Sequence, residues 1–156
     1  MSEDPRVFLV VVDDTEEMRA ALRFACRRAR ATDGRVALLR VVAPAEFQHF
    51  AAIGDLMREE AREEAERLLQ RLAGDVQRCS GSIAVLHVRE GDTREQLLAL
   101  IEEEPSISIL VLAAGTGAEG PGPLVSSLVG KHAARLRIPL TIVPGTLSDA
   151  DIDRIA

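Results

Sequence analysis

Residues 7–12 read VFLVVV and stop at Asp13 and Asp14, six apolar residues in a row closed by two carboxylates. A strand with one wet face alternates apolar and polar residues. An unbroken apolar run instead indicates a strand covered on both faces, as in parallel sheets packed between helices. The segments on either side fit that frame. Met18, Ala21, Leu22, Ala25 and Ala29 recur at helical spacing, with Asp14 placed to cap and Glu17 three residues on. Arg27, Arg28 and Arg30 suit the negative end of the helix dipole, and Gly34 stops the helix.

Further along, residues 36–42 predict a second strand, and Pro44 opens a connection to about Asp55. Met57, Ala61, Ala65, Leu68, Leu72 and Val76 then mark a long amphipathic helix. Residues 83–88 predict a third strand, Gly91 and Asp92 a turn into a helix capped toward Glu95, and residues 107–112 a fourth strand. A Gly/Pro-rich loop over 115–123 leads into a helix with Val125, Leu128, Val129, His132, Ala133 and Leu136 on one stripe, and residues 139–143 supply a fifth strand.

This alternation predicts one α/β domain over residues 1–145, a five-stranded parallel, doubly wound, Rossmann-type sheet sandwiched by helices. Its ligand crevice should lie at the carboxyl ends of the strands where the winding reverses. The tail, residues 146–156, predicts a short docked helix. Ser148 can serve as N-cap with Asp151 at the third helical position, Leu147 and Ile152 have staple spacing, and Ile152 and Ile155 share a face.

A chain of 156 residues suits one core. Apolar residues at 47% and charged residues at 28% are a globular balance, and the absence of Trp and Tyr makes that core aliphatic. A net charge of -6 argues against nucleic acid and anionic lipid as partners, since both demand a concentrated basic surface. Residues 1–6 are acidic, and no apolar run approaches the roughly 18 residues of a membrane span, so a cytoplasmic location is expected. Cys26 and Cys79 form no CxxC pair, and His49, His87 and His132 lack ligand spacing, so no metal site is expected.

Two constellations could carry chemistry. Asp13 and Asp14 after a buried strand resemble the acidic pair of a phosphorylatable receiver, but the positions for its acceptor Asp and distant Lys hold His87, Val88 and Arg89, then Pro144 and Gly145. The one lysine of the chain, Lys131, stands elsewhere. The second constellation is Gly117, Gly120 and Gly130, spaced G-x2-G-x9-G after the fourth strand. Glycines let backbone amides approach a phosphate, and a helix N-terminus adds partial positive charge.

The stretches LVVVDDTEEMRAAL (9–22), LLRVV (38–42) and VREGD (88–92), together with the glycine spacing, resemble the universal stress protein family over roughly residues 6–144. The resemblance implies an adenine nucleotide α-hydrolase-like fold. It also implies a site in which Asp13 and the backbone of Val41 or Val42 hold adenine, while Gly117, Gly120, Gly130 and the residue after them hold phosphates. That last residue is Lys131 where the family pattern has Ser or Thr, Glu119 stands in a loop that is commonly basic, and Ala114, Gly115 and Thr116 extend the loop. Lys131 can meet a phosphate as a point charge, whereas Glu119 pointing inward would repel one.

Ser126 and Ser127 could replace the missing hydroxyl or be plain helix residues; His132 could touch phosphate or sit half-buried. Phe47 and Phe50 could close over an adenine ring or pack in the first helical turn. The resulting expectation is a homodimer through the fifth strand that binds ATP or another adenine nucleotide and signals through regulatory protein partners, with no catalytic residue assigned. The alternatives are a nucleotide-free dimeric interaction protein and a slow ATPase or phosphotransfer enzyme.

Overall fold

The computed structural model describes residues 4–44 and 51–156. Five strands, β1 (Val7–Val11), β2 (Arg35–Val42), β3 (Val85–Glu90), β4 (Ile107–Ala114) and β5 (Leu140–Pro144), form one sheet in the order β3-β2-β1-β4-β5. Every neighbouring pair is parallel. The chain steps outward from β1 to β3 and then returns to the other side of β1, so the winding reverses between β1 and β4.

The opening run is apolar throughout because its alternate side chains enter two cores. Phe8, Val10 and Val12 join one cluster with Val36, Leu38 and Val111 beneath α1 (Met18–Thr32) and α2 (Ala51–Ser80). Val7, Leu9 and Val11 join the other, with Leu39, Leu110 and Leu112, under α3 (Thr93–Glu103) and α4 (Pro123–Val129). Ala20, Ala21, Ala25 and Ala29 give α1 a small-residue face that lets its backbone settle close to the sheet. Leu9, Leu38 and Leu110 are wholly buried, each worth roughly 1.5–3 kcal/mol of transfer free energy.

Several boundaries differ from the expectations. Asp14 does not cap α1: the N-cap position is Glu17, with no side-chain bond, because Asp13 turns the chain first and Asp14 faces Arg40. The first helix ends through Asp33, at φ 54°, and Gly34 follows where a Cβ would stand 2.6 Å from the Arg6 carbonyl. The second helix starts at Ala51, ahead of Asp55, and β3 starts at Val85 instead of residue 83. Asp92 caps α3 as expected, accepting from the Glu95 amide at 3.0 Å.

The largest difference concerns the helix before β5. The apolar stripe through Leu136 is not one helix: α4 ends at Val129, Gly130 breaks it, and a single 3-10 turn (Ala133–Arg135) follows. Gly130, at φ -107° and ψ -109°, leaves the helical region and ends α4, and Pro139 stops any later helix at β5.

The tail forms α5 (Asp149–Ile155), whose Ser148 and Asp151 make a reciprocal capping box. Ile152 is fully buried, whereas Ile155 is exposed and does not share its contact. Arg19 pairs with Asp149, and Arg23 holds Asp153 through two bonds of 2.8 and 2.7 Å, so the tail is strapped along α1. No helix of the described residues is long and apolar enough to cross a membrane.

Candidate functional site

At the carboxyl ends of β1, β2 and β4 the sheet opens into a cleft of about 830 Å³. Asp13, Thr15 and Glu17 line it after β1, Arg40 and Val41 at the end of β2, Asp92 and Arg94 at the start of α3, and residues 119–127 after β4. Reversal of the winding sends the connections after β1 and β4 to opposite faces of the sheet, and the gap between them is the cleft.

On the β1–β2 side, Asp13 is held by a tight local turn. One carboxylate oxygen accepts from the Thr15 amide at 2.9 Å and from the Thr15 hydroxyl at 2.5 Å, leaving the second oxygen exposed for a ligand. Arg40 donates to the Val12 carbonyl at 3.1 Å and to both Asp14 oxygens at 3.4 Å, tying β1 to β2 just below the opening.

The sheet hydrogen bonds distinguish Val41 from Val42. Leu39 accepts from the Val12 amide at 2.7 Å, on the β1 side, whereas Val42 accepts from the Gly91 amide at 3.0 Å, on the β3 side. Backbone groups alternate along a strand, so Val41 points the same way as Leu39, toward the place β1 has already left. Val41, which lines the cleft, therefore turns its amide and carbonyl to that side and has no backbone partner there among the described residues, while the carbonyl of Val42 is already engaged and Val42 lies outside the lining.

The β4–β5 side does not form the expected cradle. Gly120 lines the cleft at φ 83°, but its amide donates to the Gly117 carbonyl at 3.1 Å, and the Gly115 amide donates to the Pro121 carbonyl at 3.2 Å. The loop thus spends these donors on itself. Gly117 lies outside the lining, and a Cβ there would meet nothing within 4 Å. Gly130 stands at the C-terminal end of α4, not inside a helix, where a Cβ would lie 2.9 Å from the Ser126 carbonyl. Lys131 follows it, exposed and away from the cleft.

Ser126 and Ser127 do line the cleft, and the Ser127 hydroxyl is buried with no hydrogen-bond partner among the described residues. His132 lies outside the lining; burial, followed by the charges of Arg94, Arg135 and Lys131, holds its imidazole below the usual range. His87, also off the cleft, is pushed down by burial. The hydrogen bond from Arg135 holds the Glu95 carboxyl below the usual carboxylate range. Phe47 and Phe50 lie outside the described residues.

The sequence reading missed Arg40, Arg94 and Glu17. A guanidinium at the end of an apolar strand, in LLRVV, was a usable signal for Arg40; nothing local marked Glu17 as a cleft residue. A side chain must emerge between Gly115 at the end of β4 and Gly145 at the end of β5. A Cβ on Gly145 would lie 2.4 Å from the Glu17 Cβ, and one on Gly115 would lie 3.2 Å from the Glu17 Oε1. Among the described residues no three His, Cys, Asp or Glu side chains are grouped to hold a metal.

A parallel sheet in this order, with a cleft at the switch point after β1, defines the adenine nucleotide α-hydrolase-like class of α/β proteins. The sequence model of the universal stress protein family matches residues 5–144, and the chain belongs to that family. The universal stress protein UspA of Lactobacillus plantarum superposes with a TM-score of 0.72 at 19% identity, over 91% of this chain and 99% of that one. A family protein of Arabidopsis thaliana with AMP bound gives 0.63 at 18%, over 94% and 99%. The Archaeoglobus fulgidus universal stress protein in complex with dAMP gives 0.57 at 14%, over 89% and 97%. At such identities the likeness establishes the fold. No curated protein matches the chain.

Proposed function

We propose that this protein is a stress-response regulator that binds an adenine nucleotide in the switch-point cleft and passes that state to partner proteins as a homodimer. The observation that carries this reading is the placing in one cleft of Val41's amide and carbonyl and the second oxygen of Asp13, all without a partner among the described residues. An amide and a carbonyl side by side match the ring nitrogen and amino group of adenine, and a carboxylate oxygen can accept from a ribose hydroxyl. The Arabidopsis and Archaeoglobus structures hold AMP and dAMP, which supports the ligand class.

The dimer reading rests on β5, an edge strand with Ile142 exposed in mid-strand. Pairing with a second copy would satisfy the backbone groups of this edge. Light scattering at micromolar concentration should give twice the chain mass, and a monomer would refute this part.

Mass spectrometry of the freshly purified, denatured protein, followed by calorimetry with adenosine, AMP, ADP and ATP, tests the ligand. Saturable heat for at least one of them is expected; none for any would overturn the reading. One observation favours a nucleotide-free interaction protein instead, namely the placement of Gly117, Gly130 and Lys131 off the cleft. The same calorimetry decides between the two, and timed ADP production would reveal a slow ATPase.

A further inference from the structure

Four carboxylates line the cleft, from Asp13, Glu17, Asp92 and Glu119, against two guanidiniums, Arg40 and Arg94. Arg40 is engaged by Asp14 and the Val12 carbonyl, whereas Arg94 reaches Glu95 only through Nε at 3.5 Å, a carboxylate that Arg135 already holds at 2.9 Å. Lys131, the cation placed by the spacing where phosphate should sit, is off the cleft. Counting only lining side chains, the formal balance is negative.

Glu17 matters most because it is wedged in place. Its stem passes Gly145 and its carboxylate reaches Gly115, the two points where the glycines leave room for it, at the foot of the loop that would receive a phosphate chain. Among the described residues its carboxylate has no hydrogen-bond or ion-pair partner, since the neighbouring guanidiniums of Arg19 and Arg40 are turned to Asp149 and Asp14. The nearby amides of Gly115 and Gly120 are turned to the loop's own carbonyls, so at this point a phosphate meets a carboxylate without those two donors. In a partly enclosed cleft, like charges separated by several ångströms repel with more force than in bulk water, and each further phosphate adds to the cost.

We propose that this cleft selects against phosphate charge: it takes an adenine nucleoside or its monophosphate in preference to ATP, and Glu17 is the residue that sets the limit. This rests on the adenine-nucleotide reading given above. Asp13 and Val41 hold the base and ribose, which carry no charge. The orphan Ser127 hydroxyl offers one neutral bond to a ribose oxygen or a first phosphate oxygen. On the loop side the charged residues of the lining are Glu17 and Glu119, with Arg94 as the less engaged cation at the start of α3.

The test is titration calorimetry of the full chain with adenosine, AMP and ATP, with and without Mg²⁺, on wild type, Glu17→Gln and Glu16→Gln. Glu16 is the exposed neighbour outside the lining and controls for loss of surface charge. Circular dichroism and melting curves confirm that each variant is folded. Wild type should bind AMP about tenfold or more tightly than ATP, Glu17→Gln should bring the two within about threefold, and Glu16→Gln should leave the ratio alone.

The proposal is overturned if ATP, free or with Mg²⁺, binds wild type as tightly as AMP. It is equally overturned if Glu17→Gln leaves the ratio unchanged. In both cases adenine binding itself survives. If none of the three ligands binds, the adenine reading falls and takes this one with it.

Discussion

On the β1–β2 side of the cleft the groups suggested by sequence converge, while on the β4–β5 side they disperse. Asp13 and Val41 sit at the ends of neighbouring strands whose register is fixed rung by rung, from Val7 opposite Arg35 to Val11 opposite Leu39. Gly117, Gly120 and Gly130 are linked only by a loop and a short helix, and their spacing alone does not fix where each one lands. A motif on paired strands inherits the precision of the sheet, whereas a motif on a loop is only as well placed as the packing around it.

The largest effect should come from Gly145→Val, which drives a branched side chain into the Glu17 stem and the Ala114 carbonyl. A loss of about 2 kcal/mol is expected in urea unfolding, against less than about 0.5 kcal/mol for Gly117→Ala in open space. Equal losses would mean that Glu17 is not wedged, and the contrast between the two sides would weaken.

Next comes binding. Asp13→Ala should lower affinity for AMP about tenfold, close to 1.4 kcal/mol, while Lys131→Ala should change it less than about twofold. The reverse pattern would move the working site to the glycine loop.

A smaller effect is expected from the tail that supports α1 and hence Glu17. Ser148→Ala removes the N-cap of α5 and should cost about 1 kcal/mol in chemical unfolding. No change would mean that the docking of α5 does not depend on its cap.

The smallest is a pH effect. The hydrogen bond from Arg23, then the charges of Arg23 and Arg27, hold the Asp153 carboxyl below its ordinary 3.8. The folded state therefore binds fewer protons than the unfolded one in that range, and the stabilisation present above pH 3.8 is lost as pH falls below it. Asp153→Asn should flatten the acid limb of a stability profile, and an unchanged limb would show that the strap contributes nothing there.

Much of the fold was legible because its signals are local and repeated. VFLVVV, LLRVV and the Asp92 cap each state their conformation within a few residues, and five such strands separated by helical stripes leave one architecture. The stripe through His132 and Leu136 misled because periodicity is blind to competition. Gly130 leaves the helical region and ends α4, and the chain makes one 3-10 turn before Pro139.

By itself, the sequence determined the parallel sheet, its aliphatic core, the switch-point location of the cleft and the capped tail helix, because each follows from hydrophobic period and short-range capping chemistry. Only the tertiary structure decided which backbone groups remain open, Val41's and not Val42's, since that depends on where a neighbouring strand ends. It alone also placed Glu17 between Gly115 and Gly145 and left Lys131 outside. Those outcomes arise from contacts between residues from tens to more than a hundred positions apart in the chain, and no local pattern encodes a distance of that kind.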